Sequence, residues 1–140
     1  MPLCIAASGV VVALTLSQFT LAWTHSIEKL RWEEDYRVEA DALRLVEARI
    51  QGSGAGMEPP EGSVLIEGVW HYKPALPPLP VLRLTQSGYA GDYALCNQGR
   101  CRPLADTIGK PDDVRVVEIR PCADGSTGLA ATGPASGATR

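Results

Sequence analysis

The stretch FTLAWT, residues 19–24, indicates the fold class because its large apolar side chains recur at every second position. Phe19, Leu21 and Trp23 alternate with Thr and Ala. Successive side chains of a β-strand point to opposite faces of a sheet. A period of two therefore predicts a strand with one buried and one solvated face.

The segment before this stretch is also strand-like. Residues 10–16 are rich in β-branched and aliphatic side chains, and Ser17-Gln18 is short enough to join them to the next strand as a hairpin. Because residues 1–27 carry no Lys, Arg, Asp or Glu, a membrane anchor or signal peptide is the alternative. The first basic residue, Lys29, follows the apolar run instead of preceding it. We predict an N-terminal hairpin within residues 1–25 and keep the membrane anchor as the competing hypothesis.

The segment after the stretch, residues 26–51, fits two interpretations. As a helix it would begin at Ser26 and end at the glycine after residue 51. As two strands it would place Trp32, Glu34, Tyr36 and Val38 on one face. The aromatic and β-branched residues among them favour a pleated surface. The apolar positions hold no helical stripe in the middle of the segment, so we predict two strands with a turn between them.

The remainder of the chain alternates short apolar runs with Gly- and Pro-rich breaks. Residues 52–56 must form a loop, and the prolines of residues 73–80 exclude regular pairing there. Seven or eight short strands predict a mostly β fold, an antiparallel sandwich or small barrel. Residues 1–122 would form one β domain. Residues 123–140 are mostly Gly, Ala, Ser, Thr and Pro, which predicts a disordered C-terminal tail.

Length and charge exclude several classes of protein. A chain of 140 residues has room for one core. Its formal net charge of −3, without a stretch of five or six like charges, disfavours nucleic acid as a partner. No catalytic signature of a hydrolase or metalloprotease occurs, so we predict a non-enzymatic protein without a cofactor.

The four cysteines give the clearest chemical signal. Cys96 and Cys101 bracket a short segment with Gly99 at a turn position, and a hairpin would bring them within disulfide range. Cys4 and Cys122 lie at the two ends of the predicted domain. Of the three pairings that four cysteines allow, we favour Cys96–Cys101 with Cys4–Cys122. Disulfides predict an extracytoplasmic compartment, whereas the lack of a clear signal peptide leaves the cytoplasm as the alternative.

A second candidate site lies where the 19–24 strand ends. His25, Glu28 and Glu34 could relay protons or bind a metal ion, which makes a small ligand- or metal-binding protein the alternative function. Equally, these acids could form salt bridges with Lys29 and Arg31. With two distant histidines and a C-x4-C spacing, a zinc site is not predicted.

Several motifs together resemble a small bacterial family classed as a domain of unknown function. They are the string from Phe19 to Lys29 with its Trp-Thr-His25-Ser26, the Trp32-Glu-Glu34 triplet, the Gly-rich segment ending at Met57, and the 95–102 segment around the cysteine pair. Members of that family are commonly encoded beside the fused membrane subunit of TAXI-type TRAP transporters, the tripartite ATP-independent periplasmic uptake systems.

The resemblance implies an accessory role in solute uptake, periplasmic or membrane-associated. The partner would be the TRAP membrane subunit or the solute-binding protein. The residues that match the family-like motifs, and are therefore candidate binding residues, are His25, Ser26, Glu28, Glu34, Gly54, Gly56 and Met57.

Overall fold

Strands dominate the computed structural model, which describes residues 2–24, 30–51, 61–87, 92–122 and, for the backbone alone, 137–139. These residues form twelve strands and one short helix. The elements are β1 (Pro2–Ala7), β2 (Val10–Thr15), β3 (Gln18–Thr24), β4 (Arg31–Val38), β5 (Leu43–Gln51), β6 (Val64–Ile66), β7 (Val69–Tyr72), β8 (Val81–Gln86), β9 (Ala94–Asn97), β10 (Arg100–Pro103), α1 (Leu104–Ile108), β11 (Arg115–Pro121) and β12 (Gly137–Thr139).

The strands form two sheets. The smaller sheet has the antiparallel order β8-β11-β1-β2, and β12 adds a parallel strand beside β8. The larger sheet has seven antiparallel strands in the order β10-β9-β3-β4-β5-β7-β6. The predicted mostly β, antiparallel architecture is thereby confirmed.

One hydrophobic core joins the two sheets. Leu3 and Ile5 of β1 and Val117 of β11 supply it from the smaller sheet, and Leu21 and Tyr36 supply it from the larger one. All five side chains are almost fully buried. Two sheets that share a core through their inner faces form a β-sandwich, whose stability comes mainly from this removal of apolar surface from water.

The period-two alternation predicted for residues 19–24 is present in β3. Phe19 and Leu21 are buried, and Trp23 packs against the core from the same face. On the opposite face, the Thr20 hydroxyl donates a hydrogen bond of 2.6 Å to the Asp35 carboxylate. Residues 26–51 contain two strands, β4 and β5, as predicted, with no helix among their described residues.

The predicted hairpin between residues 10–16 and 19–25 is wrong. β2 pairs with β1, whereas β3 pairs with β4 and β9 in the other sheet. A two-residue hairpin turn that matches strand twist needs positive φ angles. Ser8 and Gly9, between β1 and β2, have φ angles of 49° and 81°, whereas Ser17 and Gln18 have none in that range. The connection between β2 and β3, Leu16-Ser17, therefore carries the chain between the sheets.

Residues 64–72 form two strands, β6 and β7. Glu67 and Gly68 have φ angles of 49° and 80°, which makes them a tight turn of type I′ between β6 and β7. The described residues therefore contain twelve strands, more than the seven or eight expected. Leu104 begins the helix α1.

Two disulfides bridge strand neighbours, and both have the pairing favoured from the sequence. Cys4 of β1 is bonded to Cys122, just beyond β11, with their Cα atoms 5.8 Å apart. Cys96 of β9 and Cys101 of β10 face each other across a hairpin, with their Cα atoms 4.0 Å apart. No cysteine is left free.

Two observations concern the predicted disordered C-terminal tail and the alternative hypothesis of an N-terminal membrane anchor. Of residues 123–140, the structure describes only β12, which pairs with β8 through Gly137–Thr139. In the described part of the chain, no helix has the length and hydrophobicity that a bilayer crossing requires.

Candidate functional site

The residues predicted as binding candidates fall largely outside the described ranges. Glu34 alone among them is described, and it lies on β4. The others lie outside the described residues: His25, Ser26, Glu28, Gly54, Gly56 and Met57.

Glu34 is a buried carboxylate on the inner face of the larger sheet. Its exposed fraction is 6 %, and Leu21 and Ala48 flank it on the neighbouring strands. The Tyr36 hydroxyl donates a hydrogen bond of 2.7 Å to Oε1 of Glu34. Because an ionisable group taken out of water must be compensated by hydrogen bonds, the Tyr36 hydroxyl is part of what allows Glu34 to be buried.

All three tryptophans of the protein belong to one cross-strand row beside Glu34. Trp23 faces Trp32, Trp32 faces Ile50, Ile50 faces Trp70, and Trp70 faces Leu65. We call this set of five residues the aromatic row. Directly opposed residues of antiparallel strands share a face, so the row runs unbroken across five strands on the inner side of the sheet.

The interior end of the aromatic row is tied to the core by ring contacts. The rings of Trp23 and Trp32 are stacked at 6.1 Å, and Tyr93 packs against Trp23 at 5.7 Å. Trp23 and Tyr93 also contact the core cluster. Stacked and tilted aromatic pairs contribute about 0.5–1.5 kcal/mol beyond their buried area, so this end of the row is firmly positioned.

The other end of the aromatic row reaches the surface. Trp70 is half-buried, and Leu65 is 51 % exposed on the outermost strand, β6. Trp32 is also half-buried, and its indole Nε1 is enclosed without a hydrogen-bond partner among the described residues. The larger sheet therefore carries an apolar surface, rich in tryptophan, from the core out to its own edge.

The segments that hold the undescribed candidates join the sheet beside this row. Thr24 faces Arg31 next to the Trp23–Trp32 pair, so residues 25–29 connect β3 and β4 at that end. Gln51, which precedes residues 52–60, is the neighbour of Ile50 at the same end of β5. The segments 25–29 and 52–60 therefore attach to the same end of the larger sheet. This follows because β3, β4 and β5 are antiparallel neighbours.

A second cluster, on the outer face of the larger sheet, was not identified from the sequence as a unit. Arg49 of β5 lies at its centre and donates hydrogen bonds to three carboxylates. Its Nη1 and Nη2 each lie 2.7 Å from an oxygen of Asp35, its Nε lies 2.8 Å from Glu33, and Nη1 lies 2.7 Å from Glu47. Nδ1 of His71 is 3.5 Å from Glu47. We call these five residues the Arg49 cluster.

The Arg49 cluster favours the ionised form of two of its carboxylates, those of Glu33 and Asp35. Partial burial opposes ionisation of Glu33 and Asp35, but hydrogen bonds from Arg49, joined by Arg31 on Glu33 and Thr20 on Asp35, outweigh it and lower both pKa values. A general acid needs a pKa near the working pH, so the lowered values of these two groups suit a structural role better than catalysis. Among the described residues, no group of His, Cys, Asp and Glu side chains is placed to hold a metal ion.

The sequence signal that could have identified the Arg49 cluster is the spacing of charged residues at every second position along β4 and β5. Glu33 and Asp35 are two residues apart, as are Glu47 and Arg49, so each pair shares a strand face. The sequence could not show that the two pairs are neighbours, because the register of β4 on β5 shifts at a bulge between Asp35 and Tyr36.

Comparison with known proteins identifies a family but not an activity. The family model described as a domain of unknown function, DUF1850, matches residues 19–104, which is more than half of the chain. The matched span runs from the second residue of β3 to the first residue of α1 and includes the whole aromatic row. No curated protein and no solved structure matches the chain.

Proposed function

Because the chain belongs to the DUF1850 family of domains of unknown function, we propose that it is a non-catalytic binding domain that serves as an accessory protein of a TRAP-type (TAXI) solute uptake system. The proposal combines the family-like motifs of the sequence with the aromatic surface of the larger sheet. The partner is the membrane subunit of the transporter, and contact is made through the half-buried part of the aromatic row.

The aromatic row is the observation that carries this proposal. Interfaces between proteins are enriched in Trp and Tyr, which bring large apolar area with few rotatable bonds. Trp32, Trp70 and Leu65 form such a surface, and the ring contact with Trp23 holds Trp32 in place. A preorganised aromatic surface loses little conformational entropy on binding, which suits recognition of a partner.

The disulfides support an extracytoplasmic site of action. The Cys4–Cys122 and Cys96–Cys101 bridges persist in oxidising compartments and are rare in the cytosol. A periplasmic domain is also placed to meet the outward side of an uptake transporter. Thiol alkylation with intact-mass measurement on protein from its native cell tests this point, and four reactive thiols would contradict it.

Co-purification with the membrane subunit tests the proposed interaction. The tagged chain should retain the subunit in detergent, and Trp70→Ala should reduce recovery by roughly tenfold or more, since an interface tryptophan commonly contributes 2 kcal/mol or more. Val116→Ala is the control, because Val116 is an exposed strand residue of the other sheet. Failure of the wild-type chain to retain the subunit across several detergents and salt concentrations would contradict the proposal.

A further inference from the structure

The four edges of the two sheets are not protected equally. An open strand edge tends to pair with another chain, and proteins block this with charges, proline or a covering element. β10 carries Arg100, Arg102 and Pro103. β2 has the helix α1 packed against it, and β12, the outer strand beside β8, consists of Gly, Ala and Thr and has no large apolar residue. The β10 and β2 edges therefore have a recognised safeguard, and the β12 edge offers little apolar surface.

The fourth edge, β6, has none of these safeguards among the described residues. Its three residues are Val64, Leu65 and Ile66, and their exposed fractions are 57 %, 51 % and 50 %. It is the last strand of the seven-stranded sheet and is uncharged throughout. An exposed, wholly aliphatic edge strand is the type of surface that pairs with a further strand.

The turn next to β6 determines which backbone groups face outward. Because Glu67-Gly68 is a two-residue turn, Ile66 and Val69 form the hydrogen-bonded pair that closes it, and Leu65 with Trp70 forms the next, non-hydrogen-bonded pair. The N–H and C=O groups of Leu65 consequently point away from β7. Leu65 is therefore the centre of the open edge.

We propose that β6 pairs with β6 of a second copy of this chain, antiparallel and centred on Leu65, to form a two-fold symmetric dimer. This inference is independent of the proposed uptake role. An antiparallel pair centred on one residue satisfies two-fold symmetry, because the N–H of each Leu65 donates to the C=O of the other. The sheets of the two copies then join into one.

The side chains of β6 suit this register. Pairing centred on Leu65 places Val64 opposite the second copy's Ile66, so aliphatic side chains meet on the outer face. It also places Glu67 opposite Ser63 instead of opposite another Glu67, so no like charges are opposed. On the inner face the two aromatic rows become one, with Leu65 meeting its equivalent between the two Trp70 residues.

Sedimentation analysis of the isolated, disulfide-bonded chain tests this inference without any transporter subunit. We expect the wild-type chain to sediment as a dimer of 14.9 kDa protomers. Leu65→Lys opposes two positive charges across the two-fold axis and should weaken association by roughly tenfold or more. Circular dichroism confirms that the variant is folded.

A matched valine pair controls for the effect of adding a lysine. Val64 and Val114 are both 57 % exposed, but only Val64 lies on β6. Val64→Lys should weaken the dimer and Val114→Lys should leave it unchanged. Val64→Lys also serves as the test if Leu65→Lys does not fold.

Mixing two variants tests the register itself. Leu65→Lys and Leu65→Glu should each be monomeric alone and should form a mixed dimer together, because opposite charges then meet at the two-fold axis. A wild-type chain that stays monomeric up to about 1 mM overturns the inference. A dimer that stays intact in both Leu65→Lys and Val64→Lys overturns it as well. If a partner protein occupies this edge instead of a second copy, the isolated wild-type chain should be monomeric.

Discussion

Arg49 binds Asp35 with both of its terminal nitrogens, Nη1 to Oδ2 and Nη2 to Oδ1, each at 2.7 Å across neighbouring strands. A planar guanidinium opposite a carboxylate gives two parallel charge-assisted hydrogen bonds. The same arginine also binds Glu33 and Glu47, so one positive charge stabilises three negative ones. This cation therefore compensates the acidic outer face of β4 and β5.

Replacement of Arg49 should destabilise the protein. Arg49→Met leaves Glu33, Asp35 and Glu47 close together without their shared donor, and we expect a loss of about 1–3 kcal/mol in the free energy of unfolding. Urea unfolding followed by tryptophan fluorescence measures the change. Arg44→Met is the control, because Arg44 forms one solvent-exposed ion pair, with Glu39, and should shift the urea midpoint little. Equal effects of the two substitutions would contradict the central role of Arg49.

Stability should fall in acid because of this cluster. The pKa values of Glu33 and Asp35 are lowered below their ordinary values of 4.5 and 3.8. Groups with a lowered folded-state pKa contribute stability above the unfolded-state pKa and lose it as the pH falls through the folded-state pKa. The wild-type urea midpoint should therefore decrease below about pH 4.5, and the decrease should be smaller in Arg49→Met. An identical pH profile for both proteins would count against this assignment.

The two disulfides should contribute unequally to stability. Cys4–Cys122 spans a sequence separation of 118 residues and Cys96–Cys101 one of 5. In the chain-entropy model, closure of the long loop stabilises by about 5 kcal/mol and closure of the short loop by about 2 kcal/mol. Thermal unfolding of the two double Cys→Ala variants measures the difference. A greater loss from the Cys96–Cys101 variant would contradict the loop-length argument.

Tyr36 and Glu34 should be energetically coupled. Tyr36→Phe removes the hydroxyl that donates to the buried Glu34 carboxylate, and we expect a loss of about 1–3 kcal/mol. Glu34→Leu combined with Tyr36→Phe removes both groups and should cost less than the sum of the single changes. A double-mutant cycle in urea gives the coupling free energy. Additive effects would show that the hydrogen bond contributes little.

Local patterns in the sequence were sufficient for the strand assignments that held. Alternation predicted the buried face of β3 through Phe19 and Leu21, and Tyr36 and Val38 on the buried face of β4. These patterns work because a strand places every second side chain on the same face, whatever it pairs with. The wrong hairpin between residues 10–16 and 19–25 shows the limit, because alternation does not identify the partner strand.

Unlike the strands, the aromatic row and the Arg49 cluster could be identified only from the tertiary structure. Trp23 and Trp32 each gave a strand signal in the sequence, but nothing local indicated that they form one row with Trp70. The row exists because β3, β4, β5 and β7 are neighbours in one particular register. The bulge that brings Glu33 and Asp35 into reach of Arg49 is equally invisible along the chain.

The sequence by itself determined that this protein is built from strands, and its cysteine spacing pointed to the bridged hairpin at Cys96 and Cys101. Both follow from backbone geometry within a few residues. Only the tertiary structure decided that β6 is the last strand of the larger sheet among the described residues and that one arginine holds three acids. Those outcomes depend on which distant strands pair, and that choice is made by the packing and hydrogen bonding of the whole sandwich.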